Sequence, residues 1–543
     1  VNGAPLDRAA LWARVAGRSA EPAEPADWDL VIIGGGATGC GLALDAAARG
    51  FSVALFERED FAKGTSSRAT KLLHGGVRYL AQGNVSLVRE ALHERAAVMA
   101  NAPHLAHRLP FVMPGYRWWE AGFYGTGLKA YDLLAGKRSL GDTAFLSARQ
   151  TRALLPNVRA DGLASGVKYW DAQFDDARLA VALARTAAAR GALTLNHAPV
   201  TALLREAGQV RGVVVHDVLS GAEHRVRARC VVNATGVWVD AVLGLDHDAG
   251  AAPAPPKRTP MVAPSQGVHL VVDRRFWPGG HALLVPKTRD GRVLFAVPWL
   301  GKTILGTTDT PRDRVEIEPR PLKDEVAFIL GESARYLAQA PGRADVRSVW
   351  VGMRPLVRPS AEAGADTQAL SREHTVRIAR SGLVTVTGGK WTTYRVMAED
   401  TLGACMARGL LPPRPGGVTE RLPLLGSAPG RPIDEAPGEH LYGSEAAALR
   451  ALPGADRWLW HDAESGRPAL SEAMVRFAAR HELAASVEDV LARRCRLLFL
   501  DAEEAARQAD PVAAILADEL QGFDAAASAA SFKALAAQYR ELP

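Results

Sequence analysis

"DLVIIGGGATGCGLALDAAARGFSVALFE", running from Asp29 to Glu57, decides the fold. Residues 30–33 form a short apolar, β-branched run suited to a buried parallel strand. Gly34, Gly36 and Gly39 then give G-x-G-x-x-G at the turn into a helix that opens with Ala37 and Thr38, and Gly50 ends that helix before a second strand closing at Glu57. Each spacing has a physical use. One glycine makes the turn, one lets a pyrophosphate approach the backbone, and one lets helix and strand pack closely, while the helix N-terminus meets negative charge. An acid at Glu57, about twenty residues after the glycines, suits a ribose hydroxyl.

Two further stretches choose between NAD and FAD. "RCVVNATGVWVD" carries a strand into Ala234, Thr235 and Gly236, and "VTVTGGKWTTYR" carries another into Gly388 and Gly389. Three strand-then-small-residue turns suit a long cofactor touched at several points, which favours FAD. Between the first of these turns and the second lies "GTSSRATKLLHGGVRYL", where Lys71, His74 and Arg78 surround the glycine pair Gly75 and Gly76. Paired glycines serve a helix interior poorly, so this backbone is built for close approach.

The 543 residues predict two or more structural units, and 48% hydrophobic with 23% charged residues is the balance of a globular protein. No apolar run reaches the roughly 18 residues of a membrane span and no secretory signal is visible, so a cytoplasmic site of action is expected. Cys40, Cys230, Cys405 and Cys495 are scattered without metal-type spacing, which predicts buried, reduced thiols and no metal site. A net charge of +6 from dispersed residues suits an anionic substrate or an acidic membrane surface and, with no accompanying motif, argues against nucleic acid.

"GGGATGCG", "GTSSRATKLLHGGVRYL", "YWDAQFDDARL", "VVNATGVWVD", "GVHLVV", "PWLGKTILGTTDT", "GMRPLV" and "TGGKWTTYR" occur in that order. In these stretches the chain resembles the FAD-dependent glycerol-3-phosphate dehydrogenases, within the flavoprotein group of the glycine and D-amino-acid oxidases. "VRFAARHELAASVEDVLARRCRLLFLD" extends the resemblance to their C-terminal helical region. It implies oxidation of sn-glycerol 3-phosphate to dihydroxyacetone phosphate, with hydride passing from C2 to the flavin. Electrons would then leave for a membrane quinone, or for oxygen in related oxidases. It also implies FAD contacts from Thr65, Ser66, Ser67, Lys71, Leu73, His74, Gly75, Gly76, Val200, Trp238, Lys390 and Thr392, beside the three turns. Peripheral association with the inner face of the cytoplasmic membrane, and a homodimer, are expectations of the same kind.

A small dianion needs fixed cations, and arginine offers a planar fork where lysine offers a point charge. Arg78, Arg354 and Lys390 stand in matching motifs, with Tyr79, Thr392 and Thr393 as hydroxyl donors. Removal of the C2 hydroxyl proton suits a neutral imidazole. We assign the base to His74 and an orienting role to His269, although spacing does not separate the two. Asp175 and Asp176 read as helix caps. Gln266 stands where the family often has lysine; a cation beside reduced flavin would stabilise superoxide, so glutamine there predicts slow reaction with oxygen.

The expected fold is α/β: a Rossmann-type FAD-binding domain, an interleaved substrate domain of mixed or antiparallel sheet, and an all-helical C-terminal domain. Residues 1–27 read as a mobile extension. The flavin pieces fall at about 28–104, 169–260 and 346–408, the substrate pieces at about 105–168 and 261–345, and the helical domain at 411–543 after "LLPPRPGG". Turn signals at Asp290–Gly291 and Gly301 predict hairpins in the substrate sheet, and Ser471 and Ser486 read as N-caps beyond the linker. "WWEAGFYGTGLKAYDLLAGK", from Trp118, has the composition of an interfacial helix: aromatics and Leu128, Leu133 and Leu134 beside Lys129 and Lys137.

Overall fold

A computed structural model describes residues 3–19, 27–76, 84–246, 259–289, 291–358, 373–433 and 435–543. The strand Trp28–Ile33 lies inside a sheet, hydrogen-bonded to Val53–Phe56 on one side and Glu223–Asn233 on the other, both parallel. Leu193–Leu195 continues the sheet beyond the former, Val384–Gly388 and His374–Ile378 beyond the latter. Ile33 stands level with both Phe56 and Asn233, and Asn233 with Thr385, so the turns that follow these strands emerge along one edge. Strand order reverses beside Trp28–Ile33, which opens a crevice at that edge. The helix Ala37–Ala48 covers the sheet, and its small residues permit a close fit: a side-chain carbon on Gly41 would meet the Tyr394 ring at 2.5 Å.

A second sheet stands against this one. Its spine is the antiparallel pair Val262–Asp273 and Val346–Val357, with Ser265 opposite Arg354 and His269 opposite Trp350. Lys302–Gly306, Leu294–Trp299, Ala282–Val285, Ala106–Gly115, Ser165–Phe174 and Leu72–Leu73 follow in order. Gly301, at φ +80°, closes the hairpin in which Trp299 faces Lys302. Asp290, the other expected turn residue, lies outside the described residues. The boundaries differ from the sequence reading at three places: Val346–Val357, Leu72–Leu73 and the end of Ser165–Phe174 from Tyr169 onward belong to this sheet, not to the flavin pieces. Alternation of β-branched residues marks a strand but does not say which sheet it joins.

The segment expected as a mobile extension instead carries the helix Arg8–Ser19, with Leu11, Trp12 and Val15 buried. The Arg8 guanidinium donates to Asn196 Oδ1 at 3.0 Å and Asp217 Oδ1 at 2.8 Å. After a stretch without regular secondary structure at 411–416, helices dominate. Ser471 caps Glu472–Glu482 through the Met474 amide, and Ser486 Oγ accepts from the Asp489 amide at 3.1 Å. This C-terminal part is bound to the flavin side by a buried clasp. Asp60 accepts from Arg494 at 2.5 and 2.9 Å, from Asn196 at 2.9 Å, and from Arg493. Burial alone would raise the Asp60 carboxyl, but the guanidiniums, Arg494 foremost, hold it below its ordinary range. All four cysteines are free and buried.

Candidate active site

The nucleotide turn is tight because it must be. Gly34 adopts φ +107°, and a side-chain carbon there would lie 2.8 Å from the Ala234 carbonyl oxygen; one on Gly39 would collide with the Gly34 carbonyl. Gly36 is half-buried at the N-terminus of Ala37–Ala48, and the Ala37 amide donates to Ser66 Oγ at 2.9 Å. Glu57 accepts from the Gly35 amide at 2.5 Å and from the Glu59 amide at 2.9 Å. Burial pushes its carboxyl up, and those two bonds work against the shift. The Ala198 amide donates to the Glu57 carbonyl at 2.8 Å, and Val200, two residues on, is half-buried.

The other strand ends join this turn through side chains. Thr387 Oγ1 donates to the Gly236 carbonyl at 3.0 Å, and Trp391 Nε1 to the Ser66 carbonyl at 2.8 Å. A side-chain carbon on Gly64 would meet the Trp238 ring at 2.7 Å. Gly388 and Gly389 both take positive φ, +83° and +71°. Gly36, Thr38, Glu57, Thr65, Ser66, Thr235, Gly236, Trp238, Gly388, Gly389 and Lys390 are each half-buried. Small or polar apart from Trp238, they form an elongated lining at the carboxyl edge of the parallel sheet, the chemistry that a dinucleotide's pyrophosphate and riboses require.

The second sheet meets this lining through residues 65–70. Thr65 Oγ1 donates to the Met353 carbonyl at 2.5 Å, and a side-chain carbon on Gly352 would meet the Arg68 carbonyl at 2.5 Å. On that face the Arg354 guanidinium lies over Gly267, where any larger residue would collide with it. It donates to the Thr308 carbonyl at 2.9 Å and pairs with Asp309 at 3.3 Å. His269, two residues along the partner strand from Gly267, is buried and stacks on Trp350 at 5.2 Å and 17°. Its Nε2 shares a 2.9 Å hydrogen bond with Thr70 Oγ1, and Nδ1 is buried with no hydrogen-bond partner among the described residues. An orphaned acceptor is tolerated better than an orphaned N–H, so the ring proton belongs on Nε2 and the lone pair on Nδ1. Burial first, then the charges of Lys71 and Arg354, hold this imidazole well below its ordinary range, in the neutral form.

Residues 29–395 match the family described as FAD dependent oxidoreductase, and residues 417–527 match the C-terminal domain of alpha-glycerophosphate oxidase. The mitochondrial glycerol-3-phosphate dehydrogenase of Arabidopsis thaliana is 43% identical over 90% of this chain and 82% of its own length. The FAD complex of glycerol-3-phosphate dehydrogenase from Bacillus halodurans superposes with a TM-score of 0.75, at 29% identity, over 98% of each chain. This chain belongs to the FAD-dependent glycerol-3-phosphate dehydrogenase family. Glycine oxidase from Geobacillus kaustophilus, with a TM-score of 0.52 at 21% identity over 70% of this chain and 95% of its own, shares the fold.

The cofactor of the family is FAD, and the small polar lining fits it. Several residues expected on it do other work in this member. The Lys71 ammonium is sealed from solvent, donating to the Ser67 carbonyl at 2.6 Å and Asp176 Oδ2 at 2.7 Å. The Ser67 side chain and Leu73 are likewise buried. Gly75 lacks a side chain because Tyr131 Oη and Leu92 press against it, at 2.6 and 2.9 Å from where a carbon would stand, and its amide donates to that hydroxyl. Gly76 turns the chain at φ +80°. His74 is half-buried before that turn. Asp175 caps the helix Asp176–Ala189, as expected, but Asp176 is a counter-ion. Gln266 points to the opposite face of its strand from His269 and donates to Glu325 Oε2 at 2.6 Å, so it cannot set the oxygen chemistry expected of it. Arg78 and Tyr79 lie outside the described residues.

Lys390 caps the turn Trp391–Thr393, within which Thr392 and Thr393 are buried. Sequence reading missed Thr70, Trp350 and Asp309. Thr70 and Asp309 were visible as polar residues inside the quoted motifs, whereas Trp350 becomes meaningful only through its cross-strand register with His269.

Proposed function

We propose that the protein oxidises sn-glycerol 3-phosphate to dihydroxyacetone phosphate and delivers the electrons to a membrane quinone. The observation that carries the reading is a buried neutral imidazole on the same sheet face as a fixed guanidinium, beside a dinucleotide lining. FAD supplies the acceptor for the C2 hydride with its electron pair. The protein supplies the rest. Arg354 and Lys390, with Arg78, bind and orient the anionic substrate. His269 takes the C2 hydroxyl proton at Nδ1 while Thr70 steadies Nε2. A bound phosphate dianion offsets the nearby cations and raises the imidazole toward the range in which a base works best. We therefore give the base role to His269 rather than His74; the support is that its orientation is fixed on both ring face and edge.

The test is anaerobic mixing of the holoenzyme with sn-glycerol 3-phosphate, sarcosine or D-alanine. Flavin absorbance should bleach with the first alone. Bleaching by an amine, with none by glycerol 3-phosphate, would place the protein among the amino-acid oxidases of this fold.

The quinone lives in a bilayer, and one surface suits contact with it. On and beside the helix Glu120–Ala135, Trp118 is 89% exposed, Phe123 69% and Leu133 82%, with Lys137 and Arg138 in the turn that follows. No described helix is long and apolar enough to cross a membrane. Aromatics and leucine beside basic residues favour an interfacial seat on anionic lipid. Replacing Trp118 and Phe123 together by Asp should abolish flotation with anionic liposomes while leaving bleaching by substrate intact. Undiminished flotation would move the contact elsewhere.

A further inference from the structure

Four charged side chains that the reaction does not use lie fully buried behind His269: Lys71, Asp175, Asp176 and Arg496. Arg496 comes from the C-terminal helical part, where it adopts φ +68° at the start of Leu497–Leu500. Its Nη2 donates to the Ser67 carbonyl at 2.9 Å and to Asp176 Oδ1 at 3.0 Å. Lys71 reaches the same two groups, and Asp176 Oδ2 also accepts from the Ala69 amide at 3.1 Å. Two cations and one carboxylate thus hold residues 67, 69 and 71, which bracket Thr70. The Lys71 ammonium further sits 5.1 Å from the centroid of Trp350, the ring on which His269 stacks, and 5.3 Å from that of Phe499.

Burying this many charges is costly unless each is paired, and an isolated core would be more stable if apolar. The ions stand where they control one short segment, and that segment delivers Thr70 to the imidazole. We propose that Lys71 and Arg496, joined through Asp176 and the Ser67 carbonyl, are positioning residues that set Thr70 and the Trp350 stack so that His269 presents its lone pair to the substrate; the C-terminal helical part thereby takes part in the reaction. The inference rests on His269 being the base. Among the described residues, the charges that face the imidazole are Lys71 from this segment and Arg354, paired with Asp309, from the neighbouring strand. Those that face Lys71 are Asp175, Asp176 and Arg496. Burial brings the lysine down to about 7, so it is charged where a histidine of lowered affinity gains its proton.

Lys71→Met keeps the volume and removes the charge. In the holoenzyme labelled at histidine, the His269 resonance should titrate at higher pH than in the parent, because a cation that opposes the imidazolium has gone. The acid limb of the pH profile for substrate-driven flavin reduction should move the same way. Thr70→Val should keep FAD and substrate affinity but slow reduction about tenfold or more, the scale of a misaligned reacting group; Thr70→Ser should restore it. A His269 resonance that titrates alike in parent and Lys71→Met overturns the proposal, as does parent-rate reduction in Thr70→Val. If Lys71→Met does not accumulate as a folded flavoprotein, the Thr70 pair decides alone. A parent enzyme that dithionite bleaches and glycerol 3-phosphate does not would defeat the assigned function instead, and the histidine titration would still report on the coupling.

Discussion

His269→Asn leaves the flavin in place and slows its reduction by glycerol 3-phosphate on the order of 10²–10⁴-fold, the range for loss of a general base. Asparagine can still reach toward Thr70 and fill much of the volume against Trp350, but it accepts no proton near neutrality. His74→Asn should cost less, since that residue is half-buried at a turn. The sign of the pH dependence follows from burial. The imidazole is held neutral well below its ordinary 6.5, so protonation of His269 should lower the free enzyme's kcat/KM only on the acid side of that value. Anaerobic stopped-flow reduction measures both quantities. A larger loss in His74→Asn than in His269→Asn would return the base to the HGG segment.

The second large effect belongs to Arg354. Arg354→Lys keeps a positive charge but cannot reproduce a planar fork held by the Thr308 carbonyl and Asp309. Charge-assisted hydrogen bonds are worth about 1.5–3 kcal/mol each, so kcat/KM should drop roughly tenfold to a hundredfold. Arg354→Ala should drop it further, and FAD content should be unchanged in both. An alanine variant with the parent's catalytic efficiency would remove this arginine from the substrate.

The nucleotide turn was legible because every constraint on it is local: the glycines, the strand and the acid lie within one run of chain. His269 and Arg354 were legible as candidates for the same reason, each standing in a short recognisable stretch. Their shared face was not, because Ser265 opposite Arg354 and His269 opposite Trp350 are facts of register between distant strands. Lys71 misled for a related reason. Its position beside the HGG segment suggests the cofactor, but its partners Asp176 and Arg496 come from 105 and 425 residues further along. Gln266 misled through alternation alone: one residue's shift along a strand sends a side chain to the other face.

The clasp on Asp60 bears on how such a chain can be made. Its carboxylate belongs to the first nucleotide-binding turns, yet its arginine partners are 433 and 434 residues downstream. A ribosome releases the flavin side long before those arginines exist, and a carboxylate sealed there without them would carry a charge that burial opposes. The nascent chain must therefore keep this corner open to water, or its carboxyl protonated, until Arg493 and Arg494 emerge. A message cut short before Arg493 would therefore yield a flavin side whose Asp60 corner lacks both guanidiniums, a chain suited to chaperones and proteases rather than to a tightly closed fold.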